Sequence, residues 1–291
     1  MILVTGGTGF IGKYFVSDLI EKGYDVRLLV LGEPPEGLPA KAQVFRGDAT
    51  RPETLAGIAK DVETVVHMVG VIDLDPKMNF LMNTVATENI VKSCENVEKI
   101  VYTSSADAFG PTRGTFDESS VCNPNNPYGK SKIQAEKVIM ESGIPNLIFR
   151  PVIVYGIGSP WWRHGMNFLR FGFIPDTENF TQVVHVRDVS RALAIGVERG
   201  EGTYIIGDES PIRIADLFSH VVRLLGKSPR KIPMWLTSLA ATLLREKGYF
   251  EVALANREFS VEKAKKELGW KPECNFDLAM KSRVEWYKRM K

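Results

Sequence analysis

The residues of this chain best suited to chemistry are a tyrosine and a lysine four positions apart, with a serine upstream. Tyr128 and Lys132 lie in "YGKSK", and Ser105 ends the apolar run at 99–105. Positions four apart on a helix share a face, so the ammonium would stand beside the phenol. That ammonium would lower the phenol's pKa from its usual value of about 10. The three residues predict a general acid/base with a serine that holds the substrate oxygen, and an exposed helix start is the alternative.

A cluster of glycines near residue 1 predicts a phosphate site. Gly6, Gly9 and Gly12 lie between the apolar run at 2–5 and an amphipathic segment at 11–22. A strand, a glycine turn and a helix N-terminus direct backbone N–H groups and the helix dipole at one point. Glycine also lets the backbone approach a pyrophosphate closely. The pattern indicates dinucleotide binding, and a merely structural turn is the alternative.

The elements that must position these residues alternate along the first half of the chain. Apolar runs predict buried strands at 2–5, 26–31, 43–47, 64–69, 99–105 and 146–151, with one more at 202–207. Amphipathic segments predict helices at 11–22, 80–95 and 128–142. Strands that are apolar on both faces and separated by helices predict a parallel sheet covered on both sides. The expected fold class is therefore α/β, a doubly wound parallel sheet with a smaller, mostly helical substrate lobe.

The chain divides into two predicted parts. Residues 1–155 form a nucleotide-binding domain whose sheet is completed by 181–207, and residues 156–180 and 208–291 form the substrate-binding lobe. The loop at 110–127 is unusually long for a connection in a compact domain, and long ordered loops are often functional.

Composition narrows the possible function classes. A net charge of +2 over 291 residues gives no basic field of the kind that nucleic-acid binders need. Cys94, Cys122 and Cys274 are far apart, so they suggest neither a metal site nor a disulfide framework, and they fit a reducing cytoplasm. The longest apolar stretch, at 232–244, is too short to span a bilayer and predicts a buried or interfacial helix. We expect a cytoplasmic protein with a small-molecule substrate, no nucleic-acid partner, no metal and no membrane span.

The motifs taken together resemble one family. "TGGTGFIG", "VYTSSADAFG", "YGKSK", "FRPVIVYG", "VVHVRDV" and "KKELGWKP" follow one another in the order and spacing of the extended short-chain dehydrogenase/reductases, the NAD-dependent epimerase/dehydratase group. The resemblance covers essentially the whole chain. It implies a Rossmann-type sheet and hydride transfer between a nicotinamide and a carbinol or carbonyl carbon. Relatives commonly pair through the helices after the fourth and fifth strands, which implies a homodimer.

The resemblance also implies which residues would hold the cofactor. Those expected to cradle the pyrophosphate are Gly6, Thr8, Gly9, Phe10, Ile11 and Gly12. Those expected around the adenosine and the ribose are Leu31, Asp48, Ala49, Met68, Val69 and Gly70. Pro151 and Ile153 would touch the nicotinamide, and Lys132 would hold its ribose hydroxyls and tune Tyr128. Asp188 would cap the helix that follows it, whereas His67 and His185 are interpreted as packed histidines.

Departures from the family pattern leave the cofactor open between NAD and NADP. Relatives that prefer NAD usually end the second strand with an acid, but here Val30 or Leu31 occupies that position and Glu33 comes two or three places late. The arginine of relatives that prefer NADP is missing as well. Lys13 and Arg46 could meet a 2′-phosphate or be plain surface charges, and we lean slightly towards NADP.

The reaction subtype depends on the substrate lobe. Asp107 stands one place late for the acid pair of the dehydratases, and "FRPVIVYG" lacks the asparagine of sugar-nucleotide epimerases. That form is closer to relatives acting on alcohols and ketones. Residues expected to contact substrate are Ser105, Trp161, Trp162 and Arg187, with lobe packing as the alternative for the tryptophans. We therefore expect an NAD(P)-dependent oxidoreductase. One alternative is a nucleotide-sugar 4-epimerase with tightly held NAD, in which Arg163, Arg170 and Arg187 would bind the diphosphate of the sugar nucleotide. The other is a non-catalytic NAD(P)-binding accessory or sensor protein.

Overall fold

The computed structural model describes residues 1–94, 96–111 and 113–290, apart from the side chain of His164. The strands are β1 (Ile2–Thr5), β2 (Val26–Val30), β3 (Gln43–Arg46), β4 (Thr64–His67), β5 (Lys99–Thr103), β6 (Gly114–Phe116), β7 (Asn146–Pro151), β8 (Ile153–Tyr155), β9 (Phe173–Pro175), β10 (Phe180–Thr181), β11 (Val183–His185), β12 (Gly202–Ile206), β13 (Ile212–Arg213), β14 (Arg230–Ile232) and β15 (Arg257–Phe259). The helices are α1 (Phe10–Glu21), α2 (Pro76–Asn79), α3 (Ala86–Ser93), α4 (Pro127–Glu141), α5 (Pro160–Leu169), α6 (Val186–Glu198), α7 (Ile214–Leu224), α8 (Met234–Leu243), α9 (Lys247–Ala253) and α10 (Phe276–Arg289). Shorter helical segments are Pro52–Leu55, Phe80–Val85, Ala106–Phe109 and Ala264–Leu268.

Seven parallel strands form the central sheet, in the order β12-β7-β5-β4-β1-β2-β3. The chain moves outward from β1 to β3, then returns to place β4 on the other side of β1. This reversal of strand order opens a crevice at the carboxyl ends of β1 and β4, which is where open α/β sheets bind their ligands.

Helices cover both faces of the sheet because its strands are apolar on both sides. On one face, Phe15 and Leu19 of α1 and Leu193 of α6 pack into one core. On the other face, Ile90 of α3 and Ile139 of α4 pack into a second core. The result is the predicted α/β class of doubly wound parallel sheet.

A smaller core lies beside the sheet. It joins Met166 of α5, Ile174 of β9, Val221 of α7 and Val284 of α10. Three short strands also occur in the C-terminal third, which the sequence had suggested to be mostly helical.

The predicted strands of the sheet are confirmed, and two other expectations need correction. The expected helix at 80–95 consists of a wider π-helical segment, Phe80–Val85, followed by α3, and the helical run begins earlier, at α2. The long loop at 110–127 contains β6, which pairs in parallel with β15. Three residues, one of them a glycine that disfavours strands, give too weak a local signal to predict a pairing with a strand so far along the chain.

Candidate active site

The start of α4 positions the candidate acid/base. The Asn126 side chain caps this helix by accepting a hydrogen bond from the Gly129 backbone N–H at 2.7 Å, and Pro127 occupies the first turn, where no N–H is needed. Tyr128 therefore lies in the first turn and Lys132 one turn later on the same face. Tyr128 keeps part of its surface accessible, whereas Lys132 is buried.

The Lys132 ammonium is held over the end of β5. It donates to the Tyr102 hydroxyl at 3.2 Å and to the Thr103 carbonyl at 2.9 Å. An ammonium has three N–H donors, so one remains for a ligand. Burial lowers the pKa of Lys132 to about 8, against the opposing effect of Glu136. A Cβ at Gly70 would lie 2.8 Å from the Asn83 Oδ1 and 3.0 Å from this ammonium, so a larger residue after β4 would displace both side chains.

Tyr128 departs from the expectation that Lys132 lowers its pKa. The Lys132 Nζ lies 5.9 Å from the centre of the phenol ring. Burial, and after it the negative charge of Asp107, raise the pKa of Tyr128 well above its usual value, while Ser105 as a hydrogen-bonding neighbour opposes the rise. The structure thus holds a protonated phenol at neutral pH. The prediction was wrong on this point because desolvation outweighs a charge at that distance.

Ser105 is positioned by the short helix that follows β5. It stands as the N-cap of Ala106–Phe109, and its Oγ accepts the backbone N–H of Asp107 at 3.1 Å. Because the hydroxyl only accepts in this bond, its own O–H can donate, either to the neighbouring Tyr128 hydroxyl or to a substrate oxygen. The carbonyls of Ala106 and Gly110 accept from the Arg257 guanidinium, which anchors the same helix.

The glycine turn before α1 fits a dinucleotide phosphate. A Cβ at Gly6 would meet the Met68 carbonyl carbon at 2.7 Å, and one at Gly12 would meet the Gly6 carbonyl oxygen at 2.3 Å. Gly9 is the N-cap of α1 and offers no side-chain cap, and the first turn carries no acidic residue. The N–H donors at this helix end are therefore left for an anion.

The candidate adenosine side lies after β2 and β3. Leu31 is exposed at the end of β2, and Asp48 accepts from the Thr50 backbone and hydroxyl at 2.8 and 2.7 Å. Arg46 pairs with Glu33 at 2.7 Å, and both side chains are largely exposed. This pair places a cation and an acid side by side just after β2 and β3, where the family resemblance predicts the adenosine ribose.

The other expected cofactor residues follow the carboxyl ends of the parallel strands. Ala49 is buried after β3, Met68 and Val69 follow β4, and Pro151 ends β7 with Ile153 just beyond it. Parallel strands bring these ends to one edge of the sheet, together with the glycine turn and Ser105.

Two buried polar groups that the sequence reasoning missed support this edge. Glu136 lies one turn beyond Lys132 on α4 and pairs with the Arg150 guanidinium at 2.6 and 2.9 Å, while the Ser104 hydroxyl donates to it at 2.5 Å. Asn83 donates to the Val71 carbonyl and accepts its N–H, which fixes the chain beyond Gly70. A charged residue at the i+4 position of the buried lysine was the available signal for Glu136.

Tyr249 of α9 is a third neighbour of the site that the sequence did not reveal. Its hydroxyl donates to the Asp73 carbonyl at 2.5 Å, and its charge influences the pKa of Tyr128. The α9 helix therefore lies over the same edge as Tyr128.

The residues expected to contact substrate divide into two groups. Ser105 is at the site, but Trp162 is 1% exposed in the core of the smaller lobe. Trp161 packs edge-on against Trp162. These positions favour the packing alternative for both tryptophans. The Arg187 guanidinium instead lies over the Tyr14 ring of α1, at 5.4 Å from its centre.

The histidines and Asp188 have structural surroundings. His67 is buried between the Thr5 and Thr87 hydroxyls at 2.6 and 2.9 Å, and burial lowers its pKa to about 3. The N-cap of α6 is His185, so the expectation that Asp188 caps a helix is wrong. Asp188 instead accepts the backbone N–H groups of the 273–274 segment and holds the C-terminal part of the chain against α6.

Comparisons with known proteins agree with this architecture. The mouse 3 beta-hydroxysteroid dehydrogenase type 7 is 26% identical over 99% of this chain and 95% of its own length. A putative UDP-glucose 4-epimerase of Methanocaldococcus jannaschii is 29% identical over 99% of this chain and 98% of its own length. The Thermus thermophilus UDP-glucose 4-epimerase in complex with NAD superposes with a TM-score of 0.80 at 23% identity, covering 99% of this chain and 98% of that one. The model of the NAD dependent epimerase/dehydratase family matches residues 2–207. This chain, with its glycine turn, parallel sheet and Tyr128–Lys132 pair, belongs to that family.

Proposed function

We propose that this protein is an NAD(P)-dependent oxidoreductase that transfers a hydride between a nicotinamide and a carbinol or carbonyl carbon. The observation that carries the proposal is the buried Lys132 ammonium, which has one N–H to spare beside the accessible Tyr128 and Ser105 side chains. Perturbed titratable groups grouped at the carboxyl edge of a parallel sheet are typical of a catalytic site.

Each side chain has a separate task in this proposal. The N–H groups of the glycine turn and the start of α1 bind the pyrophosphate. Lys132 donates its remaining N–H to ribose hydroxyls, and Ser105 donates its O–H to the substrate oxygen. Tyr128 passes its phenolic proton to that oxygen, or takes the proton in the reverse direction. The dinucleotide, when bound, supplies the hydride donor or acceptor.

The raised pKa of Tyr128 favours the reductive direction. A carbonyl oxygen that is being reduced needs a proton donor, and the protonated phenol is the form that burial and Asp107 stabilise. Oxidation of an alcohol requires the phenolate instead, so we expect it to be faster at high pH.

An uncharged or weakly polar alcohol or ketone suits the site best. The Arg257 guanidinium, next to the candidate serine, is occupied by Asp107 at 3.9 Å and by two backbone carbonyls. Arg170 and Arg187 lie over the rings of Phe171 and Tyr14. Each of these three arginines therefore already contacts a ring, an acid or a carbonyl of the chain, which disfavours a diphosphate site built from them. The mouse hydroxysteroid dehydrogenase among the relatives supports the same choice.

A nucleotide-sugar 4-epimerase is the second candidate, and one cavity favours it. This cavity of about 290 Å³ lies between Pro111 and Arg113 on one side and the α8–α9 segment on the other. Arg113 and Lys247 line it together with Glu251, Phe250 and Leu254, and the Lys247 ammonium pairs with Glu251 at 3.9 Å. Arg113, together with Lys247 released from Glu251, would bind the diphosphate of a nucleotide sugar at this cavity. Two of the proteins compared above are named as UDP-glucose 4-epimerases.

The test begins with release and identification of the nucleotide carried by the purified protein. Turnover is then followed at the reduced-nicotinamide absorbance band with NADH and with NADPH, on steroid-like and short-chain ketones and on UDP- and dTDP-sugars. Net reduction of a ketone supports the proposal. Epimerisation of a sugar nucleotide without net redox change would select the second candidate, and dinucleotide binding without any turnover would select a non-catalytic binding protein.

A further inference from the structure

The α8 helix presents its large apolar side chains to solvent and its small residues to the protein. Only Thr237 and Ala241, four positions apart, are buried among its residues. Trp235 is 67% exposed and Leu243 is 76% exposed on the opposite side of the helix. A helix that covers a protein core normally shows the reverse arrangement.

The exposed side chains form one stripe rather than scattered positions. Trp235, Leu239 and Leu243 follow one another at intervals of four, and Leu236 and Leu244 flank them, all exposed by more than a third. Residues four apart lie on one helix face, so this stripe is continuous along α8. Contiguous apolar surface of this kind marks an interaction site, whereas single exposed leucines do not.

The charges at both ends of α8 are nearly all basic. Lys227, Arg230 and Lys231 precede the helix and Arg245 and Lys247 follow it, with Glu246 as the one acidic residue of 227–248. Lys231 and Lys247 pair with Asp176 and Glu251 at 2.9 and 3.9 Å, so the excess positive charge at the two ends comes from Lys227, Arg230 and Arg245. A second copy packed on this stripe would bring these like charges together, and lysine is depleted in protein interfaces. Anionic lipid headgroups, in contrast, complement them.

We propose that α8 docks the protein on an anionic lipid surface, with its Trp235–Leu239–Leu243 stripe in the headgroup region and its basic flanks on the phosphates. An exposed tryptophan, leucines and flanking basic residues are the side chains of helices that lie in a membrane interface. The 10 residues of α8 extend only about 15 Å, which is half a bilayer core. In the part of the chain that the structure describes, no helix is long and apolar enough to cross a membrane.

The docked helix would also be next to the candidate active site. The chain passes from α8 into α9, whose Tyr249 hydroxyl donates to the Asp73 carbonyl. Asp73 stands between Ile72 and Leu74, which are 52% and 51% exposed. The lipid surface would therefore lie close to the edge of the sheet that carries Tyr128.

Sedimentation with vesicles tests the proposal. The full chain is mixed with vesicles of phosphatidylcholine alone or with phosphatidylglycerol, and the bound fraction is measured at low and high salt. We expect binding that requires phosphatidylglycerol and weakens with salt. The Leu239→Asp/Leu243→Asp double variant should bind at least about tenfold more weakly. Leu278→Asp, at an equally exposed leucine of α10 (68%), should bind as the wild type does.

Two further measurements make the result decisive. Circular dichroism checks that both variants keep the wild-type fold, which we expect because the replaced side chains are exposed. Analytical ultracentrifugation without vesicles measures the oligomeric state. Three results would overturn the proposal. The first is no binding to either kind of vesicle, and the second is an equal loss of vesicle binding in both variants. The third is a dimer that Leu239→Asp/Leu243→Asp dissociates, because it would assign the stripe to a second copy.

Discussion

Lys132→Met removes the buried ammonium while keeping most of the side-chain length, so it tests what that charge does in the folded protein. Burial lowers the pKa of Lys132 from 10.5 to about 8. The unfolded chain therefore binds more protons than the folded one between about pH 8 and pH 10.5, and the wild type should gain stability as pH rises through this window. For a lysine that is 4% exposed, a drop of this size corresponds to about 3 kcal/mol.

The variant should lose this pH dependence. At pH 7, methionine relieves the cost of burying the charge but leaves the Thr103 carbonyl without its donor. The two effects oppose each other, so the informative quantity is the change with pH. Relative to Lys132→Met, the wild type should gain about 2–3 kcal/mol in the free energy of unfolding from pH 7 to pH 10.

Urea unfolding at several pH values measures this difference, and Lys130→Met, at an exposed lysine of the same helix, is the control that should follow the wild type. In parallel, calorimetry should show dinucleotide affinity reduced by about tenfold or more in Lys132→Met, because a charge-assisted hydrogen bond is lost. A stability difference that is the same at every pH, together with unchanged dinucleotide affinity, would refute the reasoning.

Three other predictions concern the elements around the site. Gly9→Val should abolish dinucleotide binding, measured by calorimetry, with little change in melting temperature. Within the protein its Cβ would contact only the Gly6 carbonyl, at 3.1 Å, so the added side chain would mainly fill the space that we assign to the pyrophosphate. Wild-type affinity would contradict the phosphate-loop assignment. Glu136→Gln should lower the free energy of unfolding by about 3–5 kcal/mol in urea titrations, because it leaves the buried Arg150 guanidinium without a charged partner. A loss below about 1 kcal/mol would count against a structural role for this ion pair. Arg46→Ala should weaken NADPH binding by about tenfold and leave NADH binding unchanged, because the guanidinium would leave Glu33 to bind the 2′-phosphate. Equal effects on the binding of both cofactors would remove the lean towards NADP.

The strands of the main sheet could be predicted from the sequence because each is a short, almost wholly apolar run between helical segments. The pattern "ILVT" before the glycines, for example, is the buried strand β1 with no exposed residue. The glycine turn and the position of Tyr128 and Lys132 on one helix face follow from local spacing, which needs no knowledge of distant contacts.

Other features depend on distant contacts and could not be predicted. The pairing of Gly114–Phe116 with Arg257–Phe259 joins segments more than a hundred residues apart. The direction of the Tyr128 pKa change depends on burial and on Asp107, neither of which the Tyr-x-x-x-Lys spacing contains. Trp162 is apolar enough for a substrate pocket or for a core, and only the packing of α5 against α7 and α10 places it in the core.

Turnover by Tyr128→Phe, measured beside dinucleotide affinity, tests the central claim most directly. Phenylalanine keeps the ring and removes only the hydroxyl that would move the proton. The account predicts nearly unchanged affinity for the dinucleotide and turnover lower by about 10²–10⁴, the usual contribution of a positioned acid or base. Tyr24→Phe, at a tyrosine whose hydroxyl bonds Glu198 on the outer surface, should keep full turnover. Near-normal turnover of Tyr128→Phe, on a substrate that the wild type reduces, would contradict the proposed mechanism.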